Sequence, residues 1–103
     1  MRIIAGTKRG QPIAVPKGRD TRPTLDRVKE SLFGIIQFEI AGKTVLDLFA
    51  GSGNLGLEAL SRGAEHAVFN DAARESATAV RTNVEKLGFL RQSTIYSLDY
   101  RAA

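Results

Sequence analysis

The stretch Thr44-Val45-Leu46-Asp47-Leu48-Phe49-Ala50-Gly51-Ser52-Gly53-Asn54-Leu55-Gly56 decides the fold. Val45, Leu46, Leu48 and Phe49 form a near-continuous apolar run, the pattern of a strand buried on both faces. Asp47 interrupts that run, and an ionised carboxylate is costly to bury without a partner. Gly51 and Gly53 let the backbone turn sharply and approach a ligand closely, because they carry no Cβ. Leu55, Leu57 and Leu60 then begin a helix, for which Gly63 is the expected left-handed stop.

Strand, glycine turn and helix suit two classes of cofactor. Residues 51–56 spell G-x-G-x-x-G, and Asp71 follows Gly51 by 20 positions, the spacing of a dinucleotide site and hence of an NAD-dependent oxidoreductase. A dinucleotide seats an anionic pyrophosphate at the helix N-terminus, where Asp47, just ahead of the glycines, is unhelpful. S-adenosyl-L-methionine carries a sulfonium and an ammonium and no phosphate, so Asp47 attracts it. The charge at this position favours the methyl donor.

Upstream, Arg2–Ala5 and Gln11–Val15 are short strand-like runs flanking Gly6-Thr7-Lys8-Arg9-Gly10. They predict a hairpin whose tip presents Lys8 and Arg9. Pro16 to Pro23 is a polar, proline-bounded linker holding Lys17, Arg19 and Arg22. Thr24 is suited to cap a helix with Leu25, Val28, Leu32, Ile35 and Ile36 at helical spacing, and Arg27 and Lys29 fall off that stripe. Residues 1–30 hold eight basic side chains against three acids, whereas residues 31–103 hold seven against eight. The net charge of +4 thus belongs to a basic arm on a near-neutral body, which points to a polyanionic partner.

Downstream, Ala67-Val68-Phe69 forms a second strand ending at Asn70-Asp71. Ala72–Leu87 follows as a helix stopped by Gly88, and Thr94–Leu98 as a third strand ending at Asp99. The body is therefore β-α-β-α-β, and right-handed crossovers make its sheet parallel. Parallel strands bring Asp47, Asp71 and Asp99 to one edge around Gly51 and Gly53, where open α/β sheets bind ligands. Asp71 suits ribose hydroxyls, Asp99 an adenine amino group and Asp47 the amino-acid end of the donor. His66, the only histidine, opens the second strand as a surface residue, and no side chain stands out as a general base. Tyr96 and Tyr100 read as rim or packing residues, and Phe33, Phe38 and Phe69 as core.

A length of 103 residues with 43% apolar composition supports one small domain or part of a larger one. The expected division is a basic hairpin and linker over 1–23 and a donor-binding domain over 24–103. No apolar run nears the ~18 residues of a membrane span, and the opening residues are not a signal peptide. The absence of cysteine excludes disulfides and thiolate metal sites and fits a cytoplasmic setting.

Four segments carry a resemblance: Arg22-Pro23-Thr24, Asp26-Arg27-Val28-Lys29-Glu30-Ser31-Leu32-Phe33, Val45 to Gly53, and Glu58-Ala59-Leu60-Ser61-Arg62-Gly63-Ala64. They closely resemble the RsmD-type methyltransferases, bacterial enzymes that methylate the exocyclic N2 of a guanine in 16S ribosomal RNA. Arg2-Ile3-Ile4-Ala5-Gly6 also matches that family's start. The resemblance implies the N-terminal half of a Rossmann-like class I methyltransferase fold. It implies donor contacts at Asp47, Gly51, Gly53, Asp71 and Asp99, with Arg22 and Thr24 near the pocket. It implies a basic segment, including Arg2, Lys8, Arg9, Lys17 and Arg19, that engages 16S rRNA or the assembling small ribosomal subunit. The implied reaction is direct attack of a guanine amino nitrogen on the donor methyl group.

One family feature is missing. The Asp/Asn-Pro-Pro-Tyr/Phe motif, which holds the target amino group and stacks on the flipped base, has no counterpart, and the last proline is Pro23. The segment alone is therefore expected to hold no catalytic residue, to bind donor weakly and to transfer no methyl group. It is also expected to self-associate through the sheet edge that the family's fourth strand covers. A non-catalytic RNA-binding module is the remaining alternative.

Overall fold

Three parallel strands, β1 (Thr44–Asp47), β2 (His66–Asn70) and β3 (Ser93–Tyr96), lie side by side in chain order. The structure, a computed structural model, describes residues 2–14, 23–47, 53–71 and 73–96. Helix α1 (Pro23–Ile40) precedes the sheet, α2 (Asn54–Ser61) joins β1 to β2, and α3 (Arg74–Leu87) with a short 3₁₀ turn at Leu90–Gln92 joins β2 to β3. Among the described residues no helix is long and apolar enough to cross a membrane.

Side-chain alternation sorts the sheet into two unlike faces. Ala67 and Phe69 of β2 are fully buried against Leu57 and Leu60 of α2 and Val80 and Val84 of α3, because both right-handed crossovers put their helices on one face. Close approach is built in: a Cβ on Gly56 would stand 2.3 Å from Phe69 Cε1, so only glycine lets α2 lie this near β2. On the opposite face Leu46, Val68 and Thr94 are in register, and Leu46 is 62% exposed. The expectation of a first strand buried on both faces is thus corrected. Among the described residues one face of β1 has no cover and its outer edge has no strand partner. Leu48 and Phe49 lie outside those residues.

Helix α1 also departs from the sequence pattern. Pro23 is its first residue, where a missing N–H costs nothing, so Thr24 stands inside the first turn and not at the cap. Its buried stripe is Lys29, Phe33 and Ile40, with Ile36 half-buried beside them, not the one through Leu32 and Ile35. Leu32 is 41% exposed and Ile35 is 80% exposed. The helix is rotated from the expected setting because Lys29 has a buried partner, described below. The side chain of Phe38 is outside the description.

The predicted hairpin is reduced to a single antiparallel bridge, Arg2 to Pro12. Ile3 N–H donates to Gln11 O at 2.9 Å and Gly10 N–H to Ile3 O at 2.8 Å. Its tip does not project freely. Thr7 N–H donates to Ser61 O at 2.8 Å and Lys8 N–H to Ser61 Oγ at 3.0 Å, fastening the turn to the end of α2. Farther along, the Asn83 carboxamide of α3 accepts from Ala14 N–H and donates to Ala14 O, both at 2.8 Å. Ile3 and Ile13 thereby enter the same core as Phe69.

Candidate donor-binding edge

Asp47 ends β1 and Asp71 directly follows β2, so parallel pairing puts both at the carboxyl edge of the sheet. Gly53 caps α2 in the left-handed region (φ 85°), a conformation that glycine adopts without strain. Glycine has no side chain with which to cap the exposed helix N–H groups. The strand supplies one instead: Gly56 N–H donates to Asp47 Oδ2 at 3.2 Å. Asp71 Oδ1 accepts from Ala73 N–H at 2.9 Å, and Asp71 N–H donates to Tyr96 O at 3.4 Å.

Asp47 is buried, and burial pushes its carboxyl above its ordinary pKa. The Gly56 N–H pulls it partly back, and the negative charge of Asp71 pushes it further up. No cation pairs with Asp47 among the described residues. A buried charge with one N–H partner among the described residues is a local electrostatic deficit that a cationic ligand removes. A sulfonium-bearing methyl donor fits this donor set, and a second anion beside Asp47 does not.

Other expected site residues are placed variously. Gly51, Asp99 and Arg22 lie outside the described residues, as do Lys17 and Arg19. Thr24 is the second residue of α1. Arg2 and Arg9 are exposed and Lys8 is half-buried. Tyr96 is exposed at the rim, and His66 bonds Thr94 Oγ1 at 2.8 Å across β2 and β3.

Beneath this edge lies a polar cluster absent from the sequence reading. Glu58 is 0% exposed; Ile4 N–H donates to its Oε1 at 2.8 Å and Ala5 N–H to its Oε2 at 3.0 Å. Lys29 Nζ stands 3.2 Å from Oε1 and Arg62 Nε 2.9 Å from Oε2, with the Arg62 guanidinium 4.9 Å above the Phe33 ring. Lys29, 1% exposed, also donates to Arg2 O at 2.8 Å and to Asn54 Oδ1 at 2.6 Å. Lys29 therefore leaves the set of solvated basic residues assigned to the arm. The available signals were a glutamate inside the apolar run Leu55–Leu60 and the four-residue spacing of Lys29 to Phe33.

An apolar cavity of about 360 Å³ lies beside β1, lined by Phe33, Ile36, Ile40, Val45, Leu46 and Leu55, with Asp47 also in its wall. Its walls suit hydrophobic packing rather than a polar cation.

Strand, glycine-capped helix and uncompensated carboxylate at the carboxyl edge of a parallel sheet define half of a Rossmann-like methyltransferase domain. The solved structure of YhhF from Escherichia coli superposes with a TM-score of 0.87 at 37% identity, covering 99% of this chain and 55% of that one. The family model described as "Conserved hypothetical protein 95" matches residues 1–102, and the chain belongs to that family, the RsmD-type methyltransferases. YlbH of Bacillus subtilis is 44% identical over 103 residues, which is 100% of this chain and 56% of that protein. Ribosomal RNA small subunit methyltransferase D of Haemophilus influenzae is 44% identical over 87 residues, 84% of this chain and 45% of the relative. The chain spans about half the length of the curated relatives it matches.

Proposed function

We propose that this chain is the donor-binding half of an enzyme that moves a methyl group from S-adenosyl-L-methionine to the exocyclic N2 of a guanine in small-subunit ribosomal RNA. The observation that carries the reading is Asp47: a buried carboxylate without a cation among the described residues, beside the glycine-capped start of α2. When bound, the donor supplies an electrophilic methyl group on a sulfonium. Asp47 opposes that positive charge, and Asp71 and Asp99 accept hydrogen bonds from its nucleoside. Arg22 and Thr24 border the pocket, and Gly51 and Gly53 let the backbone come close. The guanine nitrogen forms the new C–N bond as the C–S bond breaks, leaving a neutral thioether and releasing the N2 proton to solvent. Positioning and electrostatics carry the rate.

The RNA partner is supported by the names of the relatives and by the exposed Arg2 and Arg9; Lys8, Lys17 and Arg19 complete the proposed contact set. The enzyme acts in the cytoplasm, on naked 16S rRNA or the assembling subunit.

Calorimetric titration of S-adenosylhomocysteine against NAD tests the donor. Binding of the former alone supports the reading, and NAD binding alone overturns it in favour of an oxidoreductase. Incubation of the full natural protein with 16S rRNA and labelled donor then tests the acceptor, N2-methylguanine being the expected product. RNA binding with no donor affinity marks a non-catalytic module.

A further inference from the structure

We propose that Lys29 and Asn54 act as a positioning pair for the donor-binding turn, an inference that rests on the donor reading above. Asn54 is the first residue of α2 and follows directly on Gly53, whose left-handed backbone closes the glycine turn. Its Oδ1 lies 2.6 Å from the ammonium of Lys29. An ammonium only donates, so the carboxamide must turn its oxygen toward Lys29 and its NH₂ away. The orientation is therefore fixed by chemistry. Among the described residues the NH₂ group has no partner.

Lys29 is itself immobile. It is 1% exposed, and Arg2 O at 2.8 Å and Glu58 Oε1 at 3.2 Å take its other donors. Glu58 is tied in turn to Arg62, Ile4 and Ala5. The residue that opens α2 is thus clamped from α1, outside its own turn. Asn54 gives the glycine start of α2 one fixed point, and Asp47 gives it another two residues on, at Gly56 N–H. Neither Lys29 nor Asn54 needs to touch the donor for this; both act through the turn.

The test is donor affinity in the natural protein carrying this sequence, read by titrating S-adenosylhomocysteine into Asn54→Ala, Lys29→Met and the double variant, with urea unfolding in parallel. A charge-assisted hydrogen bond is lost in each single variant, so each is expected to weaken binding about tenfold. Because the two residues act as a unit, the double variant should lose no more than the weaker single one. Lys29→Arg keeps a buried cation and should restore most of the affinity. Asn54→Ala leaves the Lys29–Glu58 pair intact, so it decides the matter if Lys29→Met does not fold. Wild-type affinity in Asn54→Ala, or losses that multiply in the double variant, would overturn the pair. Absence of binding by the wild-type protein would instead overturn the donor reading.

Discussion

Burial and, to a smaller extent, the charge of Asp71 outweigh the hydrogen bond from Gly56 N–H, so the ionised form of the Asp47 carboxyl is disfavoured in the folded chain. A carboxyl whose folded pKa is raised favours folding while protonated. That contribution is lost as pH rises from the ordinary carboxylate range through the raised value. Asp47→Asn stays neutral and keeps an oxygen toward Gly56, so ligand-free protein should gain stability at neutral pH and little or none in acid. The same change should weaken S-adenosylhomocysteine binding by about tenfold or more, since it removes the charge that faces the ammonium of the ligand's amino-acid end. Urea melts at acid and neutral pH with parallel calorimetry check both halves, and wild-type affinity should climb with pH as Asp47 ionises. Glu58→Gln leaves Lys29 and Arg62 facing a neutral amide in a buried site and should cost about 3–5 kcal/mol in a urea melt. Asp47 was legible because a lone acid broke an apolar run ending in glycines. Glu58 and Lys29 were not, because a charged side chain reads as surface until its partner, far along the chain, is known.

Elements were legible where periodicity and punctuation agreed. α3 ends at Gly88 with φ 77°, as the glycine suggested, and Val80, Val84 and Leu87 are buried on one face. α1 misled because Leu32 and Ile35 imitate a stripe, while the true one begins at a lysine. Asn83 shows the same blindness: it lies on the buried face of α3 and pairs with both backbone groups of Ala14. Asn83→Ala removes both bonds and should destabilise the protein by about 2 kcal/mol. Hydrogen exchange should localise the change, with the Ala14 amide losing protection and Val84 keeping it.

At the scale of the molecule, the connection rule gave a parallel sheet, and the structure supplies the order β1-β2-β3, in which each crossover moves one strand over in the same direction. What covers the sheet was not legible, since no local pattern states whether a strand will find a neighbour. The edge of β1 has no strand partner among the described residues, and Leu46 and Leu55 are exposed beside an apolar cavity, so an isolated 103-residue polypeptide is expected to self-associate. Light scattering should show dimers or larger species, and Leu46→Lys should shift them toward monomer. A stable dilute monomer of unaltered sequence would contradict this. The basic arm adds a salt test: RNA affinity should fall steeply as ionic strength rises, because phosphate contacts release counterions.

The clamp between Ala14 and Asn83 spans 69 positions, and those from Ile4 and Ala5 to Glu58 span 54 and 53. A ribosome makes the opening residues first, yet their anchors emerge only after most of α2 and α3 have been translated. Residues 4–14 must therefore wait, unfastened, until α2 and α3 have been made.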